Sequence, residues 1–157
     1  MLGKLIRTND DVVPLVLRLT LGIMIFPHGA QKMLGWFGGG GVGGTIDFFG
    51  NMMGLPAWIT VLVIIAEFFG ALGLLTGFLT RVAAFGVGCV MLGAVAMVHR
   101  NFGFFMNWMG DQQGEGFEFH LLALGIVVAL MIAGGGKASL DGVLQKRWYP
   151  AGLSPAL

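Results

Sequence analysis

Four apolar runs divide this chain, from about Val12 to Trp36, Pro56 to Leu79, Val82 to Val98 and Phe117 to Ala133. A helix rises ~1.5 Å per residue, so ~20 residues cross ~30 Å of hydrocarbon. Each run approaches that length, the last two at the short end. Lipid offers no partner to backbone N–H and C=O groups, so runs this long are read as helices that satisfy themselves. Composition agrees: 56% of residues are hydrophobic and only 11% charged, against roughly 25% charged in a soluble domain. So few charges cannot cover a water-facing surface. The expectation is an all-α membrane protein, residues 1–157 forming a single four-span domain. It would be a four-transmembrane-helix bundle with short interfacial helices or loops on the outer side.

Lys4 and Arg7 precede the first run as in a signal peptide, but Asp10, Asp11 and Arg18 interrupt it and no A-x-A-like site follows. The segment is expected to stay and span. Pro56 suits a first helical turn, Thr80-Arg81 reads as a tight turn between antiparallel spans, and Gly134-Gly135-Gly136 ends the fourth. Lys4, Arg7, Arg81, Lys137, Lys146 and Arg147 fall on one side, Lys32 and Arg100 on the other, which places both termini in the cytoplasm. Trp36, Trp58 and Trp108 then mark the outer interface, Trp148 and Tyr149 the inner one. With net charge +1 and no basic run, nucleic acid is not an expected partner; the lipid bilayer is.

Both outer loops are apolar. Thr45 is positioned to cap a short helix with Ile46, Phe49 and Met53 on one face. The second loop carries Phe102, Phe104, Phe105, Met106, Trp108 and Met109. Such loops fit the bilayer surface or the mouth of the bundle, and Phe104, Phe105 and Trp108 are the natural lid.

Ionisable groups within a span cost at least ~2.5 kcal/mol on insertion scales, so each needs a partner or a purpose. Arg18 lies near the inner interface and is expected to snorkel to headgroups. His28 lies roughly 12 Å below Trp36, and Glu67 roughly 13 Å below Trp58 on the antiparallel neighbour. The two are level, and their side chains are expected to approach; the plain alternative makes Glu67 a buried structural partner of His28 or Lys32. Gln31 and Lys32 follow His28 on the same face, while Pro27 frees the carbonyl of Ile23. Glu118 and His120 open the fourth span and His99-Arg100 close the third, so these groups converge at the outer mouth. The candidate ligand-binding set is therefore His28, Gln31, Lys32, Glu67, Arg100, Glu118 and His120. Neither HxxxH nor ExxH spacing occurs among them and Cys89 is the sole cysteine, so no metal site is expected. Gly73 and Gly77 form a GxxxG step, and Gly86, Cys89, Gly93 and Ala96 a small-residue stripe; both favour close helix packing, within the bundle or against a partner.

Several short motifs are familiar together. Arg18-Leu19-Thr20-Leu21-Gly22, His28-Gly29-Ala30-Gln31-Lys32, Gly54-Leu55-Pro56, Glu67, Thr80-Arg81 and Gly134-Gly135-Gly136-Lys137-Ala138-Ser139-Leu140-Asp141 occur in this order. On these the chain resembles the DoxX family of small four-span membrane proteins of bacteria and archaea. Gly135 stands where that family often has proline. The resemblance implies residence in the cell (inner) membrane and a subunit role in oxidoreductase assemblies, including quinone-linked ones. A quinone or similar amphipathic molecule between the helices is the leading expectation, with a redox partner protein or a second copy as neighbours. No redox cofactor motif occurs in the sequence, and no catalytic residue is assigned. A non-catalytic anchor for a partner, or a small transporter, are the alternatives.

Overall fold

A computed structural model describes residues 2–148, and among these all regular structure is helical, with no strand. A short α1 (Leu2–Leu5) precedes α2 (Val12–Leu34). A 3-10 turn (Trp36–Gly38) leads into α3 (Gly41–Met53), then α4 (Ala57–Thr76) and α5 (Thr80–Met97). A second 3-10 turn (His99–Phe102) and a loop over residues 103–117 precede α6 (Glu118–Ala133) and α7 (Leu140–Trp148).

The boundaries follow local chemistry. Asp11 caps α2 by accepting from the Val13 amide at 2.9 Å, and Gly35 ends it with φ 73°, where a Cβ would be strained. Helix α2 runs on through Pro27 without a break. Helix α4 starts one residue later than Pro56 suggests, with Pro56 as its extended N-cap. Helices α2, α4 and α5 are long and apolar enough to cross a membrane, and α6 is a shorter apolar helix.

Helix α2 packs on α4 and α6, α4 on α5, and α5 on α6, around a core that includes Leu21, Ile25, Leu74, Val87, Val127 and Leu130. Gly29 fixes the α2–α4 register. A Cβ there would stand 2.7 Å from the Phe68 backbone, so only glycine admits so close an approach.

Arg18 does not snorkel. It is 1% exposed. Its Nε donates to the Gly135 carbonyl (2.9 Å), Nη1 to those of Leu74 (3.0 Å) and Leu75 (2.7 Å), and Nη2 to those of Lys137 (3.2 Å) and Ala138 (2.7 Å). The last carbonyls of a helix have no partner of their own, and Arg18 supplies partners to the end of α4 and the loop before α7. Asp141 works beside it, accepting from the Leu79 amide (2.7 Å) and the Thr80 amide (2.9 Å) to cap α5 from a distance in sequence. Arg81 donates to the carbonyls of Met131, Ile132 and Arg7.

Two further expectations are corrected at this end. The turn between α4 and α5 is residues 77–79, and Thr80 and Arg81 are already helical because Asp141 caps them. Gly77, with φ 66°, terminates α4 rather than continuing a GxxxG face, and a Cβ on it would meet Ser139 and Arg18. A Cβ on Gly73 would meet Phe78 and Ala83 within the chain. Tyr149 lies outside the described residues.

Candidate functional site

Beside this packed end the helices part along α4 and α5. A cavity of about 1840 Å³ opens among α2, α3, α4 and α5 and the chain around His99, Glu115 and His120. Ligand pockets are commonly ~300–1,000 Å³, so this one has room for more than a compact molecule. Its walls are mainly apolar: Phe48, Phe49 and Met53 of α3, Leu62, Ile65 and Phe69 of α4, Phe85 and Met91 of α5. The small residues Gly86, Cys89 and Gly93 line it too. A Cβ on Gly93 would meet nothing within 4 Å. The α5 stripe therefore makes space at least as much as it makes a packing face.

A few polar groups interrupt these walls. Lys32 Nζ lies 2.6 Å from Glu67 Oε2, with the two side chains 19% and 7% exposed. The depth count that made positions 28 and 67 level agrees with the contact of Gly29 on Glu67 and Phe68. Of His28 and Lys32, it is Lys32, one helical turn beyond, that pairs with Glu67, and no hydrogen bond joins Glu67 to His28. The lysine stem is long enough to span that turn. His28, Gln31, Lys32, Glu67 and His120 all line the cavity. Gln31 also donates to the Phe37 carbonyl at 3.2 Å and so ties the 3-10 turn to α2.

The His99 and His120 rings lie against each other at a 39° tilt, centroids 4.1 Å apart. His120 is buried, its Nδ1 without a partner, while His99 Nδ1 lies 2.8 Å from the Glu115 carbonyl. Arg100 is exposed and does not line the cavity, and neither does Glu118, which accepts from Trp108 Nε1 at 3.1 Å. The lid expected of Phe104, Phe105 and Trp108 is absent from the lining. Phe104 packs on Phe105 and Phe117, and Trp108 is 80% exposed. The loop is held in that shape by its own bonds, among them Glu118 N–H to the Phe104 carbonyl (2.9 Å) and Asn107 N–H to Glu115 Oε2 (2.7 Å). Met106 and Glu115 reach the cavity instead.

The site also gains what the candidate set lacked. His99 was legible as a polar end to the third span, level with His120 at the start of the fourth. The α3 wall was legible in part. Thr45 proves not to be a cap: it sits inside α3, buried, with its hydroxyl donating to the Gly41 carbonyl at 2.7 Å. Phe49 and Met53 do turn inward, joined by Phe48. Among the described residues no group of three or more His, Cys, Asp or Glu side chains is placed to hold a metal ion.

Fold and site together define a small helical membrane protein with a large apolar cavity and a few His, Lys and Glu side chains in its wall. The chain belongs to the DoxX family, whose model matches residues 13–100. It is 34% identical over 140 residues to "Inner membrane protein YqjF" of Escherichia coli (strain K12), covering 88% of this chain and 97% of that one. It is 30% identical over 120 residues to "Putative oxidoreductase CatD" of Bacillus subtilis (strain 168), covering 76% of this chain and 79% of that one. No solved structure matches the chain.

Proposed function

We propose that this protein is a four-span inner-membrane subunit that binds a quinone or a similar amphipathic molecule in support of a redox complex. The observation that carries the reading is the composition of the cavity, whose mainly apolar walls carry a few polar side chains, among them Lys32, Glu67, His99 and His120. A quinone has a matching composition: a planar head with two oxygens and a hydrocarbon tail. The exposed side chains of Leu62, Ile65, Phe69 and Phe85 extend the cavity along α4 and α5, giving the tail a path that opens toward lipid. Each CH₂ buried there contributes ~0.8 kcal/mol. The name carried by the Bacillus subtilis relative supports a redox setting.

Helix α6 serves as the fourth span in this reading. Its 16 residues reach ~24 Å, a mismatch that a bilayer takes up by local thinning. Arg81 donates to the carbonyls of Arg7 and Ile132, and the Lys137 amide to that of Asp11, so these basic residues share the Arg18 end; a cytoplasmic placement of that end suits them. A periplasm-active reporter inserted near Gly41 is expected to give signal, and one fused after Leu157 none. The reverse pattern would put the cavity mouth in the cytoplasm.

The direct test is to fill the cavity. Gly93→Phe projects a ring into space where a Cβ has no neighbour, so the fold should keep its thermal midpoint. Affinity for a short-chain ubiquinone, read by tryptophan quenching in detergent, is expected to fall at least tenfold. Equal affinity in the two proteins would overturn the reading. Gly73 and Gly77 make contacts inside the chain, so the anchor alternative rests on the α5 stripe.

A further inference from the structure

The cavity wall holds two polar pairs in different states of satisfaction. Lys32 and Glu67 meet at 2.6 Å and neutralise each other. A head group bound there would first have to separate them. His99 and His120, their ring centroids 4.1 Å apart, both line the cavity and both keep unused hydrogen-bonding capacity.

The tautomers follow from the neighbours. His99 Nδ1 faces the Glu115 carbonyl at 2.8 Å. A carbonyl only accepts, so Nδ1 carries the hydrogen, and Nε2 of the neutral ring is left as a lone pair. His120 is 6% exposed and its Nδ1 has no partner. A buried N–H without an acceptor is rarer than an under-used acceptor, so the hydrogen belongs on Nε2 and Nδ1 is the idle lone pair. Side by side, the rings then offer one N–H donor from His120 and one acceptor from His99.

We propose that the His99–His120 pair is the subsite for the ligand's head, selecting an uncharged group that carries a carbonyl or hydroxyl oxygen. This rests on the amphipathic-ligand reading above and narrows it. A carbonyl accepts from His120 Nε2. A hydroxyl accepts the same bond and also donates to His99 Nε2. The reduced, dihydroxy form of a quinone therefore makes one bond more than the oxidised form, and is held more tightly.

The test uses the full chain in detergent with three probes of equal tail length: decylubiquinone, its quinol, and decylbenzene, which has no oxygen. The wild type is expected to bind decylubiquinone at least tenfold more tightly than decylbenzene, and the quinol more tightly still. His120→Phe should erase the advantage of decylubiquinone and leave the quinol only its bond to His99, while leaving decylbenzene affinity unchanged. His99→Phe should remove only the extra affinity for the quinol. In wild-type protein labelled with ¹⁵N-histidine, the His120 ring resonances should move with decylubiquinone and stay still with decylbenzene. This last readout needs no substitution and decides the matter if a variant fails to fold. A full head-group preference in His120→Phe, or His120 resonances unmoved by bound decylubiquinone, overturns the subsite and leaves the cavity reading standing. Failure of all three probes to bind the wild type overturns both.

Discussion

Arg18→Leu is expected to leave little folded protein on extraction into detergent. The guanidinium makes five hydrogen bonds to backbone carbonyls, two from the last turn of α4 and three from residues 135, 137 and 138. Of those five carbonyls, only that of Leu74 has a second donor, the Gly77 amide at 3.3 Å. Leucine fills part of the volume but strands buried acceptors, each costing ~1–3 kcal/mol. The losses overlap, so a total of at least about 4 kcal/mol is the reasonable expectation, against a typical margin of ~5–15 kcal/mol. Arg18→Lys keeps the charge but presents one rotating ammonium instead of a planar fork, and should fall between the two. Thermal unfolding of the three proteins in one detergent ranks them. A wild-type midpoint for Arg18→Leu would mean that the clamp holds nothing.

This clamp is also where sequence reading reached its limit. The apolar runs located α2, α4, α5 and α6 to within about two residues at most ends, because hydropathy depends on each segment alone. Snorkelling is likewise a rule about one helix facing lipid. Arg18 answers instead to carbonyls 56 to 120 residues away, and a carbonyl leaves no mark in a side-chain pattern. The same blindness misplaced the α4–α5 turn, since the cap on Thr80 comes from Asp141. At the cavity, counting residues gave the depth of Glu67 and left its partner open between His28 and Lys32; the long lysine stem takes it. The second outer loop was read as a lid from its aromatics alone. Its bonds to Glu115 and Glu118 turn Trp108 away and bring Met106 in.

Glu67→Leu should be the second most damaging change, and its rescue is the sharper measurement. In the folded chain Lys32 Nζ has the Glu67 carboxylate at 2.6 Å, and beyond it only the His28 carbonyl at 3.5 Å. Removing the carboxylate leaves an ammonium largely shielded from water, a loss of about 3–5 kcal/mol for a buried pair broken on one side. Glu67→Gln keeps an acceptor within reach and should cost less. Replacing both members, as Lys32→Met with Glu67→Leu, removes the unpaired charge along with its partner, and such apolar replacements are often neutral or better. The double variant should therefore unfold near the wild-type midpoint although Glu67→Leu does not. A cycle of the four proteins is expected to give a coupling of at least about 2 kcal/mol. Additive effects would mean that water reaches Lys32 through the cavity and screens it. The pair would then be available to a ligand's head, and the contrast drawn with His99 and His120 would collapse.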